Sequence, residues 1–339
     1  MRMRGMKIPL YDDQLIVITG ASGLLGSNVV RCLNDQGYFN LLLVDDIKTA
    51  GGWRNLWHKR FVDLVPTRDL FHFLQGRETD VEAFIHLGGC VGGGAQDGDL
   101  LIKENYRFSV DLVRYALPRG QRFIYVSTAS TYGDGRWGCS DEEAQLDRLE
   151  PPNLYSFSKH MFDKWIEEQE VWNKVVGLKL FTIFGPNEWH ASPSEAIVRE
   201  LARHIQERGV APIFKSERPD QYEDGEQCYD FYYVKDAARM IYFFLKNDVS
   251  GLFNVGSGET HTWKELASAL FAAFDKPERF EYSVMPREFG AFHSQNLCAD
   301  LEKLHRVLKE NQLVFCNQFT FSSAIGDYVH HHLIPHKYQ

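Results

Sequence analysis

Short apolar runs alternate with amphipathic stretches through the first half of the chain. "QLIVITG" (14–20), "NLLLVDD" (40–46), "DVEAFIHLGG" (80–89), "RFIYVST" (122–128) and "VVGLKLFTIFG" (175–185) read as strands, several of them stopped by glycine. Between them "LLGSNVVRCLNDQG" (24–37), "NYRFSVDLVRYALPRG" (105–120) and "SFSKHMFDKWIEEQE" (156–170) carry the spacing of helices. Strands that alternate with helices predict a parallel sheet wound on both faces. After Pro186 the pattern loosens. It predicts a helix near 194–208, a polar loop over 215–227, a strand and helix over 230–247, an amphipathic helix over 262–274 and a last helix near 320–332. No internal repeat interrupts this order.

The bulk numbers narrow the class. With 339 residues, 44% of them hydrophobic, the chain can fill one large domain or two closely packed ones. A net charge of −9 without a basic run argues against a nucleic-acid surface. The apolar runs are too short to cross a bilayer, and "MRMRGMKIPLYDD" lacks the apolar core of a secretory signal. Six scattered cysteines without a C-x-x-C pair fit a reducing compartment, so a cytoplasmic protein is expected.

The first strand–helix junction, "TGASGLLGS" (19–27), carries Gly20, Gly23 and Gly26. Glycines there let the backbone turn tightly and approach a pyrophosphate, which then lies on the helix N-terminus. Ser22, Leu24 and Leu25 complete the expected phosphate loop. Asp45, closing the second strand, is placed to accept from ribose hydroxyls, and Asp46 adds a second negative charge. Two acids there disfavour a 2′-phosphate, so NAD is expected over NADP, although Lys48 and Arg54 stand near in sequence. The expected architecture is α/β: a Rossmann-type doubly wound parallel sheet over 1–185, joined again by 229–256, with a smaller C-terminal α/β substrate-binding part from 186–228 and 257–339.

"NLYSFSK" (153–159) then sets Tyr155 and Lys159 on one helix face. A free phenol has a pKa of about 10, too high for a base at neutral pH, and a neighbouring ammonium lowers it. Taken with the glycine spacing and "VSTASTYG" (126–133), this pair resembles the extended short-chain dehydrogenase/reductases, the nucleotide-sugar epimerases and dehydratases. The resemblance implies that Tyr155 is the catalytic base, that Lys159 binds the nicotinamide ribose and lowers the tyrosine pKa, and that Thr128 orients the sugar. It further implies cofactor contacts from Asp63 and Leu64 near the adenine, Leu87 and Gly88 near the pyrophosphate, and Asn105 and Ser127 on the nicotinamide side. Stretches such as "YSFSKHMFDKW", "FTIFGPNEWH" and "GLFNVGSGETHTWKELA" resemble the branch of that family acting on an ADP-activated heptose at C6. The implied reaction is transient oxidation of a secondary alcohol and re-reduction on the other face, in a homo-oligomer with a nucleotide-sugar substrate and no resident metal.

Substrate-side positions depart from that branch. The lysine expected after Gly185-Pro186-Asn187-Glu188-Trp189-His190 is Ala191, so His190 is the candidate second acid/base. Thr182 stands for an asparagine, Tyr229 for an arginine, and Phe292 approximately for another arginine. Thr182, Glu188, Phe292 and Thr128 are the expected substrate contacts. Three functions compete: an epimerase, a one-way dehydrogenase or C4-acting relative, and a silent NAD-binding sensor, which the intact Thr128, Tyr155 and Lys159 argue against. The "HHH" run (330–332) with His336 is expected to be a solvated helix end rather than a metal site.

Overall fold

The computed structural model describes residues 14–47, 52–90, 97–189, 191, 196–216, 219–220, 222–284 and 296–339. The strands are β1 (Leu15–Thr19), β2 (Leu41–Val44), β3 (Asp63–Val65), β4 (Val81–His86), β5 (Arg122–Thr128), β6 (Val175–Leu180), β7 (Thr182–Phe184), β8 (Ala211–Phe214), β9 (Cys228–Tyr229), β10 (Phe231–Tyr233), β11 (Gly251–Val255), β12 (His261–Thr262) and β13 (Phe280–Ser283). The main helices are α1 (Leu24–Asp35), α2 (Leu70–Phe73), α3 (Gly98–Leu101), α4 (Phe108–Ala116), α5 (Leu154–Glu168), α6 (Ile197–Arg208), α7 (Val234–Lys246), α8 (Trp263–Ala273), α9 (Glu302–Glu310) and α10 (Phe321–Tyr328).

Seven strands pair in parallel in the order β3-β2-β1-β4-β5-β6-β11. The central strands are apolar on both faces because both are covered, whereas the edge strand β3 leaves Asp63 exposed. Ile16 and Ile18 of β1 pack with Val29, Val30 and Leu33 of α1 and with α7. Leu15 and Val17 face the other way, into the layer of α4 and α5 with Val113, Phe162 and Ile166. This is the doubly wound Rossmann-type sheet that the alternation predicts. β11 lies far along the chain yet closes its edge.

The run 175–185 is not one strand. Phe181 N–H still bonds to Val255 O of β11, but Thr182 N–H bonds to Asp230 O, so the chain changes partner within one residue. β7 then pairs with β10 and leaves the main sheet. It enters a second apolar core formed by α6, α8 and α10 with the short pairs β8–β13 and β9–β12. Tyr229 belongs to that core, with its ring 5.8 Å from Phe231 and 5.7 Å from Trp263.

One expectation changes at the end of the last helix, which runs over the predicted stretch. The last helix ends at Tyr328 and continues as a π turn over Val329–Leu333. His330 and His331 are exposed as expected, but His332 is buried and held near pKa 4, chiefly by desolvation. Among the described residues no group of His, Cys, Asp and Glu is placed to hold a metal, and no helix is long and apolar enough to cross a membrane.

Glu188, expected to meet substrate, is instead a buried strut. It is 1% exposed, and its Oε1 accepts a 2.6 Å bond from the Tyr328 hydroxyl. Arg199 donates to its carbonyl. The reason is local: the chain leaves β7 into the second core and carries the side chain inward. Burial raises this carboxyl to about 7. The unfolded chain loses that proton first, so the native state loses stability as pH rises from about 4.5 to about 7, and the loss then levels off. Glu188→Gln cannot titrate. Its stability relative to wild type should therefore climb over that window by roughly 3 kcal/mol, and stay flat above it, in denaturant unfolding at a series of pH values. A constant difference across the series would refute the buried-acid account.

Candidate active site

The carboxyl ends of the parallel strands collect the expected cofactor residues, as open α/β sheets do. After β1 the chain turns through Gly20 at φ +68° and enters α1. A side chain at Gly26 would place its Cβ 2.0 Å from Gly20 O, so only hydrogen fits where helix and turn touch. The N-cap of α1 is Gly23, which offers no side-chain acceptor, and the first turn around Leu24 and Leu25 carries no acid. Helix N–H groups left without a cap suit an anion. The loop thus fits a dinucleotide diphosphate. Ser22 donates both its N–H (2.8 Å) and its hydroxyl (2.7 Å) to Asp45 Oδ2, fixing the acid that ends β2. Gly52 lies against the same Ser22 hydroxyl. Asp46 is half-buried beside it. Asp63 and Leu64 sit on β3, paired with Leu42 and Leu43 of β2, at the edge where an adenosine would lie. Lys48 lies outside the described residues.

A one-way chain of hydrogen bonds ties this end of the site to the other. Gly88 N–H donates to Thr19 Oγ1 at 3.1 Å, and Thr19 Oγ1 meets His86 Nδ1 at 2.6 Å. His86 Nε2 meets Ser109 Oγ at 2.8 Å, and Ser109 donates its one hydrogen to Asn105 O. Ser109 must therefore accept from His86 Nε2–H, and Nδ1 must accept from Thr19. Burial, with the Lys159 charge nearby, drives His86 down to about 3 and keeps it neutral in that tautomer. Leu87 N–H bonds to Thr19 O, which seats Leu87 and Gly88 over the end of β1.

Asn105 lies in a π turn (Ile102–Arg107) leading into α4. Its amide accepts from Cys90 N–H and donates to Cys90 O and to Ser158 Oγ. It braces the segment after β4 against α5. The π turn is an irregularity of the kind that gathers at functional sites.

Tyr155 and Lys159 stand on the first turns of α5, whose N-terminus is closed by an Asn153–Ser156 capping box. Tyr155 is half-buried. Lys159 is 7% exposed, with Nζ 3.4 Å from Val126 O and 3.5 Å from Gly88 O. Desolvation lowers it to about 8, while Asp163 pulls the other way. Thr128 ends β5, where its Oγ1 accepts from Ser130 N–H, and α5 packs against the turn that follows. The structure thus brings Lys159, Asn105 and Gly88 together, with Tyr155 one turn before Lys159 on α5 and Thr128 at the end of β5, against which that helix packs. Ser127, expected at the cofactor, precedes Thr128 on the same strand. β5 alternation turns Ser127 toward α5, where its hydroxyl is spent on Asp163 at 2.7 Å.

On the substrate side Thr182 begins β7, half-buried at the change of partner. His190 and Phe292 lie outside the described residues. The described flanks of His190 are pinned: Arg199 donates to the carbonyls of Glu188 and Ala191. Asn187, at φ +79°, joins the two parts. It donates to Ser27 Oγ and accepts from Asn55 on its carbonyl, and Asn55 also donates to Ser22 O in the phosphate loop.

Reading the sequence alone passes over His86, Asp163, Lys179 and Asn187. A signal existed for some of them. Asp163 is four residues beyond Lys159 on the same helix face, and Lys179 interrupts an otherwise apolar strand. Asn187 gives no signal, since its role arises from chain path.

The comparisons agree with this geometry. Residues 16–256 match the model of the NAD dependent epimerase/dehydratase family. The chain is 37% identical over 294 residues to the ADP-L-glycero-D-manno-heptose-6-epimerase of Nitratidesulfovibrio vulgaris strain DP4, covering 86% of this chain and 90% of that one. It is 31% identical over 334 residues to the enzyme of that name from Fusobacterium nucleatum, covering 94% and 98%. The crystal structure of the Helicobacter pylori ADP-L-glycero-D-manno-heptose-6-epimerase superposes with a TM-score of 0.74 at 22% identity, over 94% of this chain and 96% of that one. A phosphate loop of glycines, a buried lysine one turn beyond a tyrosine, and a family match across the whole sheet converge: the chain belongs to the NAD-dependent epimerase/dehydratase family of extended short-chain dehydrogenase/reductases.

Proposed function

We propose that this protein epimerises a nucleotide-activated heptose, ADP-heptose at C6 being the leading candidate, by transient oxidation of a carbinol to a ketone. The reading draws its substrate from the names of the relatives and its chemistry from one observation, the buried Lys159 ammonium one turn beyond Tyr155. Tyr155 takes the hydroxyl proton of the substrate. Lys159, still charged below about pH 8, favours the phenolate that does so. The Thr128 hydroxyl orients the reacting carbinol. NAD, held by the Gly20–Gly26 loop with Asp45 at the ribose, supplies the hydride acceptor and donor. Return of hydride to the opposite face needs a second proton donor, a role assigned to His190 in the absence of a lysine at Ala191. The division into a cofactor part (1–185 with 229–256) and a substrate part, a cytoplasmic location and a homo-oligomeric state belong to the same proposal.

A second reading is one-way oxidation of a nucleotide-linked sugar, or epimerisation at C4. The observation favouring it is Tyr229, packed inside the second core where the heptose branch carries an arginine. A substrate side with one cation fewer holds a different partner or holds it differently.

Three results test the proposal. Protein purified under native conditions and then denatured should release NAD, oxidised or reduced, because Asp45 and Asp46 repel a 2′-phosphate. Mostly NADP in the mass spectrum would reverse the reading of β2. Tyr155→Phe should retain fold and cofactor while the chemical step slows by at least about 10²-fold, the low end for a general base. Turnover near wild type would remove Tyr155 from the mechanism. Finally, in single turnover with a nucleotide heptose, His190→Ala should leave the first hydride transfer nearly unchanged, read as enzyme-bound NADH absorbance, while epimer formation, read by NMR, slows sharply. Epimer formed at the full rate would defeat the role of His190, and reduction of bound NAD without any epimer in wild type would favour one-way oxidation.

A further inference from the structure

Behind the Tyr155–Lys159 face lies a closed cluster of charge. Asp163, one turn beyond Lys159 on α5, and Lys179, in the middle of β6, are both fully buried and meet at 3.0 Å. Asp163 Oδ2 also accepts from Ser127 at 2.7 Å, and its Oδ1 accepts from Tyr125 at 2.8 Å. Lys179 donates again to Thr131 Oγ1 at 2.6 Å, and Thr131 passes its own hydrogen to Thr128 O. The cluster therefore grips α5 below Lys159 and β5 below Thr128 at once. Its ammonium also lies 5.0 Å from the centre of the Tyr132 ring.

Buried pairs of this kind are weak sources of stability, because desolvation offsets the attraction. Their field in a dry interior is strong. Few other charges face Lys159. From β4 comes His86, held neutral; from β5 and the loop after β4 come two carbonyls; from the π turn comes the Asn105 amide. On its own helix Tyr155 and Asp163 share its face. From β6 comes Lys179. Glu143 stands beyond Tyr125, and burial keeps His160 below its ordinary value. Among these, Asp163 is the buried carboxylate on the helix face that Lys159 occupies, one turn away, and its charge favours the ammonium.

We propose that Asp163 and Lys179 form a positioning pair that sets the charge of Lys159, the carboxylate holding the ammonium protonated and Lys179 moderating that carboxylate while locking it to β5. Neither residue touches substrate or cofactor; both act through Lys159. The consequence for catalysis rests on the reading of Tyr155 and Lys159 as the acid–base pair, but the effect on Lys159 itself does not.

The direct measurement is an NMR titration of the NAD-loaded protein carrying lysine labelled at its ε carbon, with Lys159→Met assigning the signal. Lys179→Gln keeps a donor for Asp163 and removes the charge. The Lys159 titration should then rise by about one pH unit. In Asp163→Asn/Lys179→Gln, where both charges are gone, it should fall back to near the wild-type position. Should Lys179→Gln fail to fold, Asp163→Asn reads the same coupling with opposite sign, a downward shift. A Lys159 titration that stays in place in either folded single variant overturns the proposal and leaves the pair a structural clamp. The alkaline limb of turnover should move with the signal. A signal that moves while the turnover profile does not supports the pair and removes Lys159 from the acid–base mechanism, so the two failures are separable.

Discussion

The ammonium of Lys159 is buried at the carboxyl edge of a parallel sheet, and the surrounding structure is arranged around that one charge. Taking an ammonium out of water costs several kcal/mol unless partners replace the lost water. Its two carbonyl contacts are long, and no carboxylate forms an ion pair with it among the described residues. Asp163 stands one turn away on the same helix face, and packing leaves the side chain nowhere else to go. Gly89 shows how tight that packing is: a Cβ there would lie 2.6 Å from Asn105 Oδ1 and 3.0 Å from Lys159 Nζ. The segment after β4 can pass the lysine only as bare backbone.

Neutrality next to that charge matters as much as the charge. A protonated His86 would add a second cation close to Lys159 and would also break the donor–acceptor order from Gly88 through Thr19 and Ser109 to Asn105. Burial excludes it. The imidazole thus works as a rigid polar spacer: it fixes Gly88, beside the diphosphate loop, relative to Asn105, which braces α5. The two ends of the cofactor site are set by one hydrogen-bonded line and need not be adjusted separately.

The sheet, its strand–helix alternation and the phosphate loop are all legible in the sequence, because each rests on a local rule. Apolar runs of strand length mark β1, β2, β4, β5 and β6, and glycine spacing marks the turn. Tyr155 and Lys159 are legible by helical periodicity. What is not legible depends on where the chain goes. Nothing local announces that "VVGLKLFTIFG" must split after Leu180, since both halves are equally good strands; the split is dictated by Val255 and Asp230, far along the chain. Glu188 reads as a substrate contact in a glycine–proline turn, and the turn delivers its side chain to the Tyr328 hydroxyl. Ser127 and Thr128 are neighbours in sequence, but strand alternation sends their side chains in opposite directions.

The two sides of the site also differ in what kind of atom carries recognition. The cofactor side is built from backbone: N–H groups of an uncapped helix, glycines that allow close approach, and one acid fixed by Ser22. Such a site asks for glycines and an uncapped helix end rather than for particular side chains. The substrate side is built from side chains, and side chains are replaced singly. Two cations there already have work: Arg199 holds two carbonyls, and Lys264 pairs with Glu226 at 2.8 Å. Tyr229 lies in the apolar core. A site of this construction takes its redox half from backbone and its specificity half from side chains, so resemblance along the whole chain speaks more firmly for the chemistry than for the sugar presented to it.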